Sequence, residues 1–354
     1  MEASAKNKMR DEITDATAAL FAGTAVMPDR YIWSDEIAQE GSIVAGDGES
    51  YKLIPVLDMA RLLDQSQEEI AKLGSACRDW GFFKLINHGV DETVLERVKD
   101  STLEFFKLPL EKKKAVGVIK AEDDFQGFGH HFDTSTGKLD WAESLILGMQ
   151  PIERRNMDLW PIDPPTFREA AEKYSLEMTK LASLLMASMG IELGVQPETL
   201  LGTIHGKAQN IVFHHYPPCR HGADKVMGNP SHTDGPCLTL VLELDTTPGL
   251  QVKKDGMWFP VQPLPGSFSV FVGDILEVLT NGRYKSVEHR VLVDAERDRV
   301  TVVTFQDGCV GEMVKPLPEL GEEARYKSVR KQDYNGRKFD SLNRRTKFTD
   351  SLKI

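Results

Sequence analysis

The sequence predicts an α+β protein in which a helix-rich N-terminal half packs on an all-β C-terminal core. Three observations carry that expectation. From Gln67 to Trp80, and again from about Pro165 to Met189, apolar residues recur in steps of three and four, the spacing of buried helix faces. After Lys207 the chain breaks into short β-type runs separated by Pro, Gly and Asp clusters, the pattern of a sandwich or barrel. No internal repeat relates the two halves.

The first fifty residues mix charged, small and Gly-rich segments and predict an N-terminal helix followed by a lead-in. They lack the uninterrupted apolar stretch of a secretory signal. The compact part begins with IPVLD at 54–58. Ile70, Leu73, Ala76 and Cys77 mark a helix over 67–80, GFFKLINHG at 81–89 reads as a strand closed by a turn, and a second helix starts near Asp91 and ends before Pro109. A longer helix from about Pro165 presents Phe167, Ala171, Tyr174, Met178, Leu181, Leu185 and Met189, a stripe that reads as core. The strand candidates that follow are QNIVFHHY, CLTLVLE, GLQVKK, MWFPVQ, SFSVFVGD, VEHRVLV and VTVVTF.

At 354 residues, 41% hydrophobic and 27% charged, the composition is that of a globular protein with a sizeable core. The net charge of −11 offers no field for a phosphate backbone, so nucleic acid is excluded as a partner, and Lys112, Lys113 and Lys114 read as a solvated helix face. Four cysteines without C-x-x-C spacing argue against a disulfide framework or zinc ribbon and for a reducing compartment. No stretch reaches the roughly 18 apolar residues of a membrane span. The expectation is a cytoplasmic monomer with no membrane partner.

The chemistry starts at SHTDGPCLTLVLE, residues 231–243, where His232 and Asp234 stand two apart at the head of a strand. Residues i and i+2 of a strand share a face, so both can aim at one point while His289, in VEHRV, completes the set from a neighbouring strand. Two imidazoles and one carboxylate leave part of the coordination sphere open, which suits non-haem Fe(II) chemistry. Catalytic zinc takes similar ligands, but HExxH with its general base is absent. Arg299 and Thr301 form another i, i+2 pair, and a guanidinium fork beside a hydroxyl suits a carboxylate, here that of a dicarboxylate co-substrate. His88, His131, His205 and His221 have no ligand-like spacing.

These residues carry a resemblance. HTD at 232–234, VEHRV around His289 and Arg-x-Thr at 299–301, with IPVLD, WGFFKLINHG at 80–89, QGFG at 126–129, LDW at 139–141 and YPPC at 216–219, resemble the plant Fe(II)- and 2-oxoglutarate-dependent dioxygenases. The match spans about residues 50 to 330 and is nearest the codeine-demethylase-like and senescence-related branch of specialised metabolism. It implies a double-stranded β-helix, or jelly roll, and this division: lead-in 1–50, dioxygenase N-terminal region 51–165, jelly-roll core 166–330 and helical tail 331–354. It also implies Fe(II) on His232, Asp234 and His289, and 2-oxoglutarate with its distal carboxylate on Arg299, Thr301 and Tyr216. Its iron-binding end would lie near His214, O₂ would be the oxidant and ascorbate a supporting reductant.

Relatives usually carry Ser where Thr301 stands and Asn-Tyr-Tyr-Pro where this chain reads His214-His215-Tyr216-Pro217. Position in the family pattern puts Phe128, His130, Val212, Phe213, Phe305 and Asp307 near the open face of the iron. Such an apolar, aromatic pocket would suit a small planar aromatic metabolite, such as a flavonoid, an alkaloid or an indole like melatonin. Hydroxylation or oxidative demethylation is the expected outcome. The alternatives are a non-catalytic sensor on the same scaffold, or an iron oxidase that does not use 2-oxoglutarate.

Overall fold

The computed structural model describes residues 20, 27–39, 43, 53–117, 119, 126–130, 137–344 and 346–354. The expected N-terminal helix lies mostly outside the described residues. Within the lead-in they form a 3₁₀ turn, Asp29–Tyr31, and a short helix α1, Ser34–Gln39.

Strand β1 (Val56–Asp58) runs into α2 (Met59–Leu63), then α3 (Gln67–Ser75). The Ser66 side chain caps α3 by accepting from the Glu69 N–H, one of the donors that a helix start leaves unpaired. A wider π turn at Ala76–Trp80 ends at Gly81, whose φ of +63° suits glycine and where a Cβ would sit 2.1 Å from the Lys285 carbonyl oxygen. Strand β2 (Phe82–Ile86) follows, then α4 (Glu92–Phe106), capped by Asp91, and α5 (Leu110–Lys114). Next come β3 (Gly127–Gly129), β4 (Glu143–Gln150), the long α6 (Phe167–Leu193) and α7 (Pro197–Ile204). All seven residues of the expected stripe on α6 are buried.

The C-terminal core contains β5 (Gln209–Tyr216), β6 (Asn229–His232), β7 (Leu238–Glu243), β8 (Leu250–Lys254), β9 (Met257–Pro260) and β10 (Phe268–Val272). A buried helix, α8 (Asp274–Leu279), leads to β11 (His289–Val291), β12 (Arg299–Gln306), β13 (Met313–Val314), β14 (Val329–Arg330) and α9 (Lys331–Arg344). The major sheet has the order β1-β2-β10-β7-β12-β5-β4-β3, and the minor sheet β6-β11-β8-β9. Two sheets facing each other across a core make the expected jelly roll. Helices α3, α4 and α6 cover the outer face of the major sheet in one hydrophobic core. The inner face forms a second core with Val212, Val241, Val252, Phe259, Phe271 and Val303. Among the described residues no helix is long and apolar enough to cross a membrane.

On the outer face, β5 is anchored by a polar knot that is buried at Lys113 and Glu143 and opens to solvent at Asp298. His215 places Nδ1 2.8 Å from Glu143 and Nε2 2.6 Å from Asp298, while Lys113 donates to both Glu143 oxygens. Both ring nitrogens can donate only in the protonated ring. Burial alone would lower the His215 pKa, but the two carboxylates outweigh it and raise it above the ordinary 6.5. A raised histidine stabilises the fold fully below its unfolded value, and that contribution is lost as pH rises through the folded value. His215→Gln should therefore cost about 1–3 kcal/mol just below pH 6.5, with the melting-temperature gap to wild type narrowing as pH rises. A gap independent of pH from 6 to 9 would contradict this assignment.

Candidate metal and co-substrate site

The metal-ligand candidates meet through strand pairing. His289 on β11 lies directly opposite His232 on β6, and their rings are 4.2 Å apart. Asp234, just past β6, places Oδ1 3.5 Å from His232 Nε2 and 3.7 Å from His289 Nε2. One ligand atom from each of the three lies within 4.8 Å of the others. His232 Nδ1 donates to the Pro230 carbonyl and His289 Nδ1 to that of Val287. Those bonds fix the tautomer that leaves each Nε2 lone pair free.

Two further observations fit a cation. Asp234 Oδ2 is buried without a hydrogen-bond partner, a costly arrangement unless something positive completes it. Burial would raise the Asp234 pKa, but the two imidazoles dominate and hold it well below the usual carboxylate range. Burial, together with the His232 ring, pushes His289 down to about 4, so it is neutral and ready to ligate at neutral pH. The loop behind the ligands is held by close packing: Asp274 N donates to the Asp234 carbonyl, and a Cβ on Gly273 would sit 1.9 Å from the Pro236 carbonyl oxygen.

Across the major sheet the register builds a polar floor. Arg299 pairs with Tyr216, while Thr301 lies between His214 and Glu243. Arg299 is 4% exposed, its guanidinium 5.5 Å from the Tyr216 ring, and it donates from Nη2 to Glu243 at 3.1 Å. Its Nε is buried and unpartnered. Glu243 accepts a second charged bond, 2.5 Å from Lys84 Nζ on β2. His214 faces the same side, stacked on Tyr216 and 2.8 Å from Ser144 Oγ.

A cavity of about 1730 Å³ is lined by His232, Asp234, His214, Val212, Phe305 and Asp307, among others, whereas Arg299, Thr301 and Tyr216 are not part of its lining. Phe213 and Phe128 do not reach it. Side chains alternate along a strand, so Phe213 points away from Val212 and His214 and packs 5.1 Å from Phe167. Phe128 pairs with Leu145 and packs against Phe105 in the outer core. His130 lies by Asp140 and Tyr31. The lining is also more polar than the expected aromatic cage, because Gln126, Gln150 and Asn210 face it and α9 turns a charged side toward it.

Helix α9 also reaches the metal loop. Lys338 Nζ donates to the Thr233 carbonyl, to Thr233 Oγ1 and to Asp274 Oδ2, and Tyr334 donates to the Gly235 carbonyl at 2.7 Å. Lys84, Glu243, Ser144 and Lys338 were not anticipated from sequence. The available signal was a charge inside an apolar strand, Lys84 in FFKLI and Glu243 in LTLVLE, since such residues rarely bury unpaired.

A jelly roll carrying two imidazoles and a carboxylate at the edge of an open cavity defines the class, a non-haem iron oxygenase. Residues 54–163 match the non-haem dioxygenase in morphine synthesis N-terminal family, and residues 207–308 match the 2OG-Fe(II) oxygenase superfamily. The chain is 38% identical to Protein SRG1 of Arabidopsis thaliana, over 93% of this chain and 92% of that protein. It is 35% identical to codeine O-demethylase of Papaver somniferum, over 89% and 90% of the respective chains. Of solved structures, JOX2 in complex with 2OG, Fe and JA superposes with a TM-score of 0.82 at 28% identity, covering 96% of this chain and 97% of that one. The chain belongs to the 2OG-Fe(II) oxygenase superfamily and is a 2-oxoglutarate-dependent dioxygenase.

Proposed function

We propose that the protein hydroxylates or oxidatively demethylates a small, largely planar aromatic metabolite of the flavonoid, alkaloid or indole kind. The observation that carries this reading is the apolar strip of Ile146, Val212 and Phe305 on adjacent strands of the cavity lining, flanked by Gln126 and Asn210. A ring system can lie on the strip while amides receive its hydroxyl or carbonyl groups. The name of codeine O-demethylase supports the demethylating version.

In this reading His232, Asp234 and His289 hold Fe(II), while Arg299, Thr301 and Tyr216 take the distal carboxylate of 2-oxoglutarate. His214, with its ring held at Nδ1 by Ser144, borders the iron-binding end. Bound there, Fe(II) would supply the coupling of O₂ to oxidation of a substrate C–H bond, with 2-oxoglutarate converted to succinate and CO₂. The protein positions the carbon and limits water, so the carbon held nearest the metal is the one oxidised. When that carbon is an O-methyl, its hydroxylated form loses formaldehyde and leaves the free hydroxyl, so no further catalytic group is needed.

The test is a screen of aromatic metabolites and small carboxylic acids with Fe(II), 2-oxoglutarate and O₂. The expected products gain one oxygen or lose one methylene equivalent (CH₂), with stoichiometric succinate. Turnover confined to non-aromatic acids would overturn the substrate class. Product without succinate would favour an iron oxidase.

A further inference from the structure

The floor of the site contains a buried charged trio that the family chemistry does not explain. Lys84 on β2, Glu243 on β7 and Arg299 on β12 come from three strands, and their side chains are only 3%, 9% and 4% exposed. Glu243 bridges the two cations, with Oε2 on Lys84 and Oε1 on Arg299. Glu243 alone would neutralise Arg299 and face an incoming carboxylate with its own negative charge. The second cation changes the sum: the trio carries one net positive charge, and buried charges are tolerated when they are matched.

We propose that Lys84 and Glu243 form a charge-balancing pair that positions Arg299 and sets the site to accept one carboxylate and no more. This rests on the reading of Arg299 as the partner of the distal carboxylate of 2-oxoglutarate. Glu243 holds the guanidinium by Nη2 and so fixes the direction of its remaining N–H donors. Lys84 cancels the charge of Glu243 from the far side. Both are positioning residues that act through Arg299.

The proposal makes a signed prediction. In Lys84→Met the remaining pair is neutral, and a bound carboxylate would be a buried uncompensated charge, so 2-oxoglutarate should bind roughly ten- to a hundredfold more weakly. In Glu243→Gln the amide oxygen can still accept from Arg299 with both cations present, so binding should be at least as tight as in wild type. The double variant Lys84→Met/Glu243→Gln returns the sum to one positive charge and should recover to within about threefold of wild type.

The experiment is calorimetric titration of Mn(II)-loaded protein without O₂, using 2-oxoglutarate and, separately, pyruvate, which shares the chelating end but lacks the distal carboxylate. The affinity for pyruvate should be equal in all variants. Arg299→Gln serves as the control. If it leaves 2-oxoglutarate affinity unchanged, the assignment of Arg299 is wrong. If it weakens binding while Lys84→Met binds as wild type, or if the double variant is no tighter than Lys84→Met, the charge-balance role is overturned. Should Lys84→Met fail to fold, Glu243→Gln and the double variant still decide, because weakening in either contradicts the sign.

Discussion

Alanine at His232, Asp234 or His289 is expected to abolish turnover and metal binding without unfolding the chain. The three side chains approach one point, yet their contacts with each other are long, at 3.5 and 3.7 Å, and Asp234 Oδ2 has no partner. Removing a ligand therefore takes little from the metal-free fold. The metal tells the opposite story. Wild type should gain about 2.7 kcal/mol of stability at a hundredfold excess of metal over its dissociation constant, and the variants should gain almost none. Loss of an outer partner typically costs roughly 10–100-fold in metal affinity, and loss of a ligand should exceed that. Calorimetric melts with Mn(II) and with chelator check it, and a variant retaining the full metal-dependent rise would remove that residue from the ligand set.

The second large effect is expected at Arg299. Arg299→Gln should weaken 2-oxoglutarate by at least about a hundredfold, in line with the roughly 3–5 kcal/mol lost when one side of a buried charge pair is removed, while the organic substrate is affected far less. The protein should still fold, since Glu243 keeps Lys84 as its partner. Thr301→Ser keeps the hydroxyl and should be nearly silent. Equal losses for both substrates would mean that Arg299 acts on the cavity as a whole.

Much of this was legible because it follows from period and spacing. The stripe on α6 and the short β-type runs of the C-terminal half, punctuated by Pro, Gly and Asp, give their elements directly. The i, i+2 pair His232 and Asp234 is a local fact, and the meeting with His289 needs only that β6 and β11 be neighbours. What escaped was burial on two sides. ESLILGMQ, the strand β4, is covered on both faces and shows no alternation, and DILEVL, the helix α8, is buried all round and shows no stripe. The pocket failed differently. Membership of a motif does not say which way a side chain faces, and one position of alternation separates Val212 in the cavity from Phe213 in the core. The polar side of α9 is a long-range partner of the site that no nearby residue announces.

The strand order of the major sheet bears on how this chain can be cut and recombined. Residues before 165 supply both of its flanks, β1 and β2 against β10 on one side and β3 and β4 against β5 on the other. The two halves are thus threads of one fabric, and neither fragment would close the sheet on its own. A hybrid that took its first half from a relative with a neutral residue at position 84 would leave Glu243 to neutralise Arg299, with no second cation beside them. It could look well folded and still grip its co-substrate poorly, so positions 84 and 243 should be transferred together in any shuffling of such enzymes.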